Sequence, residues 1–177
     1  GLFVTGVEHV DTHGGSIRVY VSRCNNPDKT VLEFLRTEGE VGMLDYKTYS
    51  SFGKTIEQMR VNARNNMDTL KSIYNRIAGY GSPAKATTSL NYFGINSNDI
   101  DYIIEDNELK HGKLIPGVNI PIKSKAYCNE NLPELIIVMA WNFFDAIVDN
   151  NQDLLNKGVI FINIKELQKS EMLLLTL

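Results

Sequence analysis

A glycine-rich segment, Gly79-Tyr80-Gly81-Ser82-Pro83-Ala84-Lys85, lies between a predicted strand and a predicted helix. Its G-x-G-x-x-A spacing is typical of dinucleotide-binding folds, where the first glycine makes the turn and the second lets the backbone approach a pyrophosphate. Backbone N–H groups at the helix start then face the anion, and a hydroxyl and a lysine add donors. The spacing predicts a phosphate-binding turn, with ligand contacts from Gly79, Tyr80, Gly81, Ser82 and Lys85. The alternative is a sharp turn that binds nothing, and Pro83 removes one N–H from the turn.

Acidic residues follow the next predicted strand. Glu105 and Asp106 lie about 20 residues beyond the glycines, where dinucleotide-binding folds place a carboxylate that binds a ribose. The loop that begins at Asp106 also contains Lys110. Because open α/β sheets bind ligands at the carboxyl ends of their strands, we predict ligand contacts from Asp106 and Lys110. The alternative is an ordinary surface loop.

An aromatic and amide pair, Trp141-Asn142, follows the apolar run Leu135–Met139. This position is again the carboxyl end of a predicted buried strand. An indole can stack on a ligand there and an amide can hydrogen-bond it, so we predict substrate contacts from both residues. A core tryptophan is the alternative interpretation.

One histidine stands beside two glycines, in Thr12-His13-Gly14-Gly15. Such a side chain is exposed and mobile enough to carry a proton or donate a hydrogen bond to a sugar or phosphate, although a plain loop histidine fits the pattern as well. We assign no catalytic residue, and His13 is the one candidate for an assisting role. No nucleophile elbow is present, and the three histidines are not spaced for zinc, so no metal site is predicted.

The elements that position these residues predict an α/β fold, a Rossmann-like three-layer parallel sheet with a long preceding helix. Apolar residues three or four apart predict that helix over 46–74, with one core-facing stripe: Tyr49, Phe52, Ile56, Met59, Ala63, Met67 and Leu70. Shorter helices are predicted from Thr30 as cap to Leu35, over Lys85–Phe93 with Gly94 as stop, and over Phe143–Leu155. Strands are predicted at Ile17–Val21, Arg76–Ala78, Ile100–Ile104, Asn119–Ile122, Leu135–Met139 and Val159–Ile162.

A single domain over 1–177 is expected, made of a leading turn and strand (1–22), the long helix and a nucleotide-binding-like core (75–165). The chain is 43% hydrophobic and 22% charged with a net charge of −3, which argues against a nucleic-acid partner. No apolar run reaches the roughly 18 residues of a membrane helix, and the two cysteines suit reduced thiols in a cytoplasmic protein. The opening Gly1-Leu2-Phe3-Val4 lacks an initiator methionine, so we expect either a fragment of a longer protein or a processed product.

Three segments in this order and spacing resemble the C-terminal domain of the S-adenosylmethionine-dependent C-methyltransferases, known for methylating nucleotide-linked deoxysugars. They are Thr12–Tyr20, then Gly79–Thr88 with Asn91-Tyr92-Phe93-Gly94-Ile95, then Asp106–Gly117 with Ile120-Pro121-Ile122. The resemblance runs from about His9 to about Ile162. The C-terminal tail, 171–177, has no counterpart in it.

The resemblance implies a transferase parent with an N-terminal zinc-binding part, a middle domain that holds the methyl donor, and this domain, which helps hold a nucleotide-diphosphate sugar. S-adenosylmethionine and zinc would then belong to the full-length parent, and this chain would bind no cofactor and be inactive alone. The family's Tyr-x-Glu-His catalytic motif lies in the preceding domain, and Val7-Glu8-His9-Val10 is only superficially similar to it. The other partner implied is the missing methyl-donor domain.

Two alternatives remain open. One is a self-contained module for NAD(P) or another dinucleotide, based on Gly79, Gly81, Ala84 and Asp106. The other is a non-catalytic interaction domain whose long helix forms an interface.

Overall fold

The computed structural model describes residues 1–12 and 15–170, so His13, Gly14 and the 171–177 tail lie outside the described residues. Over these residues the chain is an α/β protein with a five-stranded parallel sheet, a long helix before it and an N-terminal hairpin. It divides into two compact units, Gly1–Ile56 and Glu57–Leu177.

The first unit contains the antiparallel hairpin of β1 (Phe3–Val10) and β2 (Ser16–Ser22), followed by helix α1 (Lys29–Glu40). Strand β2 was predicted from its alternating pattern and β1 was not. The prediction that Thr30 caps a helix ending at Leu35 is wrong. Asp28 is the cap, because its carboxylate accepts the N–H of Thr30 at 2.8 Å, and the helix continues to Glu40.

The long helix α2 (Tyr46–Ile73) confirms the prediction from the 3.6-residue period. Its two halves differ in burial. Ala63, Met67 and Leu70 are buried, whereas Tyr49 and Phe52 are exposed. Only the second half of the predicted apolar stripe therefore packs into a core of the described residues.

The second unit is built on five parallel strands in the order β5-β4-β3-β6-β7. They are β3 (Ile77–Tyr80), β4 (Tyr102–Ile104), β5 (Ile122–Lys123), β6 (Leu135–Val138) and β7 (Ile160–Asn163). Each prediction of a strand in this unit is confirmed within a few residues. Strand β6 lies beside β3 with all four side chains buried, as its continuous apolar run predicted.

Helices cover both faces of the sheet. Successive strand residues point to opposite sides, so the apolar strands carry side chains on both faces that must be buried. Ile77 and Ile137 pack in one core with α2 and helix α3 (Ala84–Phe93), which ends at Gly94 with φ of +68°. Ala78 and Ile136 pack in the other core. The second face carries α4 (Lys125–Glu130), α5 (Phe144–Asp149) and α6 (Gln152–Leu155).

The single helix predicted over Phe143–Leu155 is wrong. Trp141–Phe143 forms a 3₁₀ turn, and the rest divides into α5 and α6. The break lies at Asn151, which is buried and donates its side-chain amide to the Ile147 carbonyl at 2.7 Å. Asparagine side chains compete with the backbone for such carbonyls, and this competition favours a helix end over continuation.

Candidate functional site

The strand order reverses between β3 and β6. From β3 the chain proceeds outward to β4 and β5 on one side and then crosses to β6 and β7 on the other. In open α/β sheets, ligands bind in the crevice outside the carboxyl ends of the strands at such a reversal. Gly81 follows β3 and Ala140 follows β6, and a Cβ on Gly81 would lie 3.1 Å from the Ala140 Cβ. The predicted glycine segment therefore opens onto this crevice.

The two glycines of the segment have different structural roles from those predicted. Gly79 lies inside β3, where a Cβ would come within 2.9 Å of Ile103 Cγ1 and 3.1 Å of Met139 Cε. The turn is made by Gly81, whose φ of +83° is readily accessible only to glycine. The prediction that the first glycine makes the turn is thus wrong, because close packing against neighbouring side chains, and not backbone geometry, requires glycine at 79.

Helix α3 begins directly after this turn. Pro83 is its N-cap residue, and no side chain caps the helix. The first N–H groups of an α-helix have no acceptor within the helix and carry a partial positive charge. Lys85 lies in the first turn with an exposed side chain. This end of α3 thus combines backbone donors with a cation at the edge of the crevice.

On the β4 side, Ser82, Glu105 and Lys110 form a connected cluster that we call the acidic flank. The Glu105 carboxylate accepts from the Ser82 hydroxyl and from the Ser82 N–H at 2.9 Å. The Lys110 ammonium donates to Glu105 at 3.0 Å and to the Ser82 carbonyl at 3.1 Å. A carboxylate of the protein therefore already occupies the donors of Ser82 that were predicted to face a phosphate.

The acidic flank controls the ionisation of its carboxyl group. Partial burial alone would raise the pKa of Glu105, but hydrogen bonds from Ser82, the Asn107 N–H and Lys110 outweigh it and hold the pKa at about 2. Glu105 is thus ionised at neutral pH, and its charge is compensated by Lys110. The carboxylate that was predicted to lie near a ribose is thus bonded to partners within the protein.

Asp106, the predicted ribose contact, points to a different neighbour. Its carboxylate accepts from the Tyr80 hydroxyl at 2.8 Å. Burial, together with Asp106, raises the pKa of Tyr80 to about 12, so the phenol remains a donor at neutral pH. The fold therefore brings Tyr80 and Asp106 together, and their hydrogen bond links the ends of β3 and β4.

On the β6 side, Lys85, Trp141 and Lys165 form a second cluster that we call the basic flank. The Lys85 Nζ lies 5.1 Å from the centre of the Trp141 ring, and the Lys165 Nζ lies 5.7 Å from it. Neither lysine forms an ion pair with a carboxylate of residues 1–12 and 15–170. The indole is half-buried and packs against the core. Trp141 is therefore partly a core residue, as one interpretation of the sequence had it, and part of its ring remains accessible for the predicted ligand contact.

Sequence reasoning missed Lys165. It lies in a 3₁₀ turn, Ile164–Gln168, directly after β7. The available signal was a lysine three residues beyond a predicted parallel strand, at the same carboxyl edge as the glycine segment. Asn142 is exposed beside Trp141, and the predicted assisting role of His13 falls outside the described residues.

Within residues 1–12 and 15–170, no group of three or more His, Cys, Asp or Glu side chains is arranged to hold a metal ion. Cys24 is exposed and Cys128 is buried, and both are free thiols. No helix in the described part of the chain is long and apolar enough to cross a membrane.

The first unit has an apolar groove of its own. The groove lies between the hairpin and α1, with a volume of about 270 Å³. Its lining is almost entirely aliphatic and aromatic: Val4, Val7, Ile17, Val19, Val31, Phe34 and Leu35, with Glu38 at the edge. Several of these side chains are exposed, including Ile17 at 53% and Leu35 at 59%. Such a contiguous apolar surface is typical of an interaction site.

The fold defines an α/β protein with an open parallel sheet, and comparison with known proteins specifies its family. The model of the C-methyltransferase C-terminal domain matches residues 11–164. The C-methyltransferase NovU of Streptomyces niveus is 32% identical over 165 residues, which cover 92% of this chain and 39% of that protein.

The chain therefore belongs to the C-methyltransferase C-terminal domain family. This finding confirms the resemblance seen in the sequence. The chain spans well under half the length of the curated relative that it matches.

Proposed function

We propose that this chain is the substrate-binding domain of an S-adenosylmethionine-dependent C-methyltransferase, and that it holds the diphosphate of a nucleotide-linked sugar in the crevice between β3 and β6. The observation that carries the proposal is the exposed Lys85 in the uncapped first turn of α3, at the reversal of the strand order. Backbone N–H groups, the helix dipole and a lysine together are a recurrent diphosphate site. Family membership supports methyl transfer as the reaction of the parent.

The acidic flank argues against the alternative of a stand-alone dinucleotide module. A dinucleotide in the Rossmann manner needs a carboxylate at the end of the second strand for its ribose. Glu105 is committed there to Ser82 and Lys110, and Asp106 accepts from Tyr80. Neither side chain is arranged to receive a ribose, whereas a diphosphate held by Lys85 needs neither.

We propose that another part of the parent enzyme binds the methyl donor. S-adenosylmethionine, when bound there, supplies the electrophilic methyl group. The same carboxylates at the end of β4 would be needed for its ribose, and their internal bonds do not fit that use. The role proposed for this chain is to bind and orient the acceptor sugar through its diphosphate, which lowers the entropic cost of the transfer.

The test is diphosphate binding by the purified chain and by Lys85→Gln, measured by calorimetry with thymidine diphosphate, uridine diphosphate, a nucleotide-linked sugar, NAD and S-adenosylmethionine. A lost charge-assisted hydrogen bond is worth about 1.5–3 kcal/mol, so Lys85→Gln should weaken diphosphate binding about tenfold or more. Lys54→Gln removes an equal charge from an exposed position on α2 and is the matched control.

Diphosphate binding that Lys85→Gln weakens and Lys54→Gln leaves unchanged supports the proposal. Binding of NAD in preference to the diphosphates would return the chain to the dinucleotide alternative. Equal affinity in both variants and the unmodified chain would show that the diphosphate does not lie at α3.

The apolar groove of the first unit supports an additional interaction role. We propose that the methyl-donor domain of the parent covers it, since the curated relative is far longer than the matched region and the groove is almost free of polar lining. Apolar surface of this kind gains stability when it is removed from water.

Ile17→Glu places a charge in this groove, and sedimentation velocity measures its effect. The chain alone should sediment as a monomer, with or without the substitution. A dimer that Ile17→Glu dissociates would contradict the assignment, because the groove would then be covered by a second copy of the chain.

A further inference from the structure

We infer that Lys165 is a second cation of the diphosphate site, and that it acts with Lys85 across the indole of Trp141. This inference rests on the proposed function, because it assigns an additional residue to the same crevice. It also identifies the bound group as one that carries at least two negative charges.

The local structure places Lys165 at this position. The Asn163 side chain accepts the Lys165 N–H at 3.0 Å and so begins the 3₁₀ turn that follows β7. The same side chain lies within 3.5 Å of the Trp141 carbonyl, to which it donates from its amide nitrogen. Asn163 thus joins the end of β7 to the end of β6 and fixes the backbone of the turn that carries Lys165.

The charges of the basic flank are not balanced within the described residues. Two ammonium groups lie around one ring, 5.1 and 5.7 Å from its centre, and neither has a carboxylate partner there. An exposed cation–π contact is weak and leaves the charge of each ammonium largely uncompensated. An anion that contacts both lysines would compensate the two charges.

The contrast with other lysines of the unit supports this assignment. Lys110 is paired with Glu105, and Lys169, four residues beyond Lys165, is paired with Glu166 at 2.6 Å. Lys165 is in the same turn as Glu166 and yet points to the ring. A diphosphate has two separately charged phosphoryl groups, which match two separate cations better than a carboxylate or a single phosphate does.

The experiment titrates the full chain with inorganic pyrophosphate, thymidine diphosphate and a nucleotide-linked sugar, by calorimetry and by tryptophan fluorescence. Trp141 is the one tryptophan of the chain, so its emission reports on this site directly. The variants are Lys165→Gln, Lys165→Arg and the matched control Lys169→Gln. Both positions are exposed, so the three variants should fold.

Lys165→Gln should weaken pyrophosphate binding about tenfold and reduce the fluorescence change, while Lys165→Arg and Lys169→Gln remain within about twofold of the unmodified chain. Unchanged pyrophosphate affinity in Lys165→Gln would overturn the assignment of Lys165, and the proposed function would stand on Lys85. No binding of pyrophosphate at about 10 mM would overturn it as well.

A third result would support the two-lysine site and contradict the proposed function. If pyrophosphate binding depends on Lys165 but the nucleotide-linked sugar binds no more tightly than pyrophosphate, the two-lysine site is supported. The nucleotide-sugar substrate of the proposed function would then be wrong.

Discussion

The acidic flank and the basic flank lie on opposite sides of one crevice and differ in how their charges are compensated. On the acidic flank, Glu105 holds Ser82 and Lys110 in a closed set of hydrogen bonds. On the basic flank, Lys85 and Lys165 contact the indole of Trp141 and pair with no carboxylate of the described residues. A residue of the right type at a ligand-binding edge can thus be bonded within the fold. Its neighbours decide whether its side chain is free to bind a ligand.

The largest effect expected from this comparison is on stability, after Glu105→Ala. The substitution leaves the Ser82 N–H without its acceptor and the ammonium of Lys110 without its carboxylate partner. Breaking a buried ion pair costs about 3–5 kcal/mol, and we expect about 3 kcal/mol here because Lys110 is partly exposed. Urea unfolding measures the difference in the free energy of unfolding.

Two controls sharpen this prediction. Glu108→Ala removes an exposed carboxylate from the same loop, and Lys85→Gln alters the basic flank. Both should change the free energy of unfolding by no more than about 0.5 kcal/mol. A loss in Lys85→Gln as large as that in Glu105→Ala would remove the distinction between the flanks.

A smaller effect is expected when Glu105 is protonated, because the neutral carboxyl keeps its size and part of its hydrogen bonding. Its pKa is about 2 in the folded chain, below the ordinary value of 4.5. The stabilisation from this group is therefore fully present above about pH 5 and is lost as the pH falls toward 2.

Unfolding measured between pH 6 and about pH 2.5 should show this loss, and Glu105→Gln should reduce its slope. Some slope should remain in the variant, because the pKa of Asp99 is also about 2, through Arg64 and Lys71 acting against burial. An identical slope in both proteins would indicate that Glu105 is not held as the geometry shows.

Much of the sheet was predictable, because its strands are continuous apolar runs between turn-forming residues. Leu135–Met139 and the long helix over 46–74 were predicted within a few residues. The predictions failed where one side-chain bond decides an end of an element. Asp28 extends α1 toward its N-terminus, and Asn151 divides the helix predicted over Phe143–Leu155. Helix propensity averaged over a stretch of sequence does not include individual side-chain hydrogen bonds of this kind.

The location of the candidate site was predictable from the sequence, but only some of the residues that form it were. The G-x-G-x-x-A spacing and the carboxyl ends of the strands indicated Gly81, Lys85 and Trp141, which the fold does place around one crevice. Lys165 carries no motif, and its approach to Trp141 depends on two strands pairing in parallel. The ligand contacts predicted for Ser82, Asp106 and Lys110 stay predictions, and internal partners now compete for these side chains.

By itself, the sequence determined the α/β class, the long helix, the family and the edge of the sheet where a ligand is expected. These follow from local periodicity, from glycine's access to positive φ at residue 81, and from segments in a specific order. The tertiary structure alone decided which charges are neutralised. A lysine's availability depends on the carboxylates within a few ångströms of it, and parallel strand pairing brings Lys110 to Glu105 and Lys165 to Trp141.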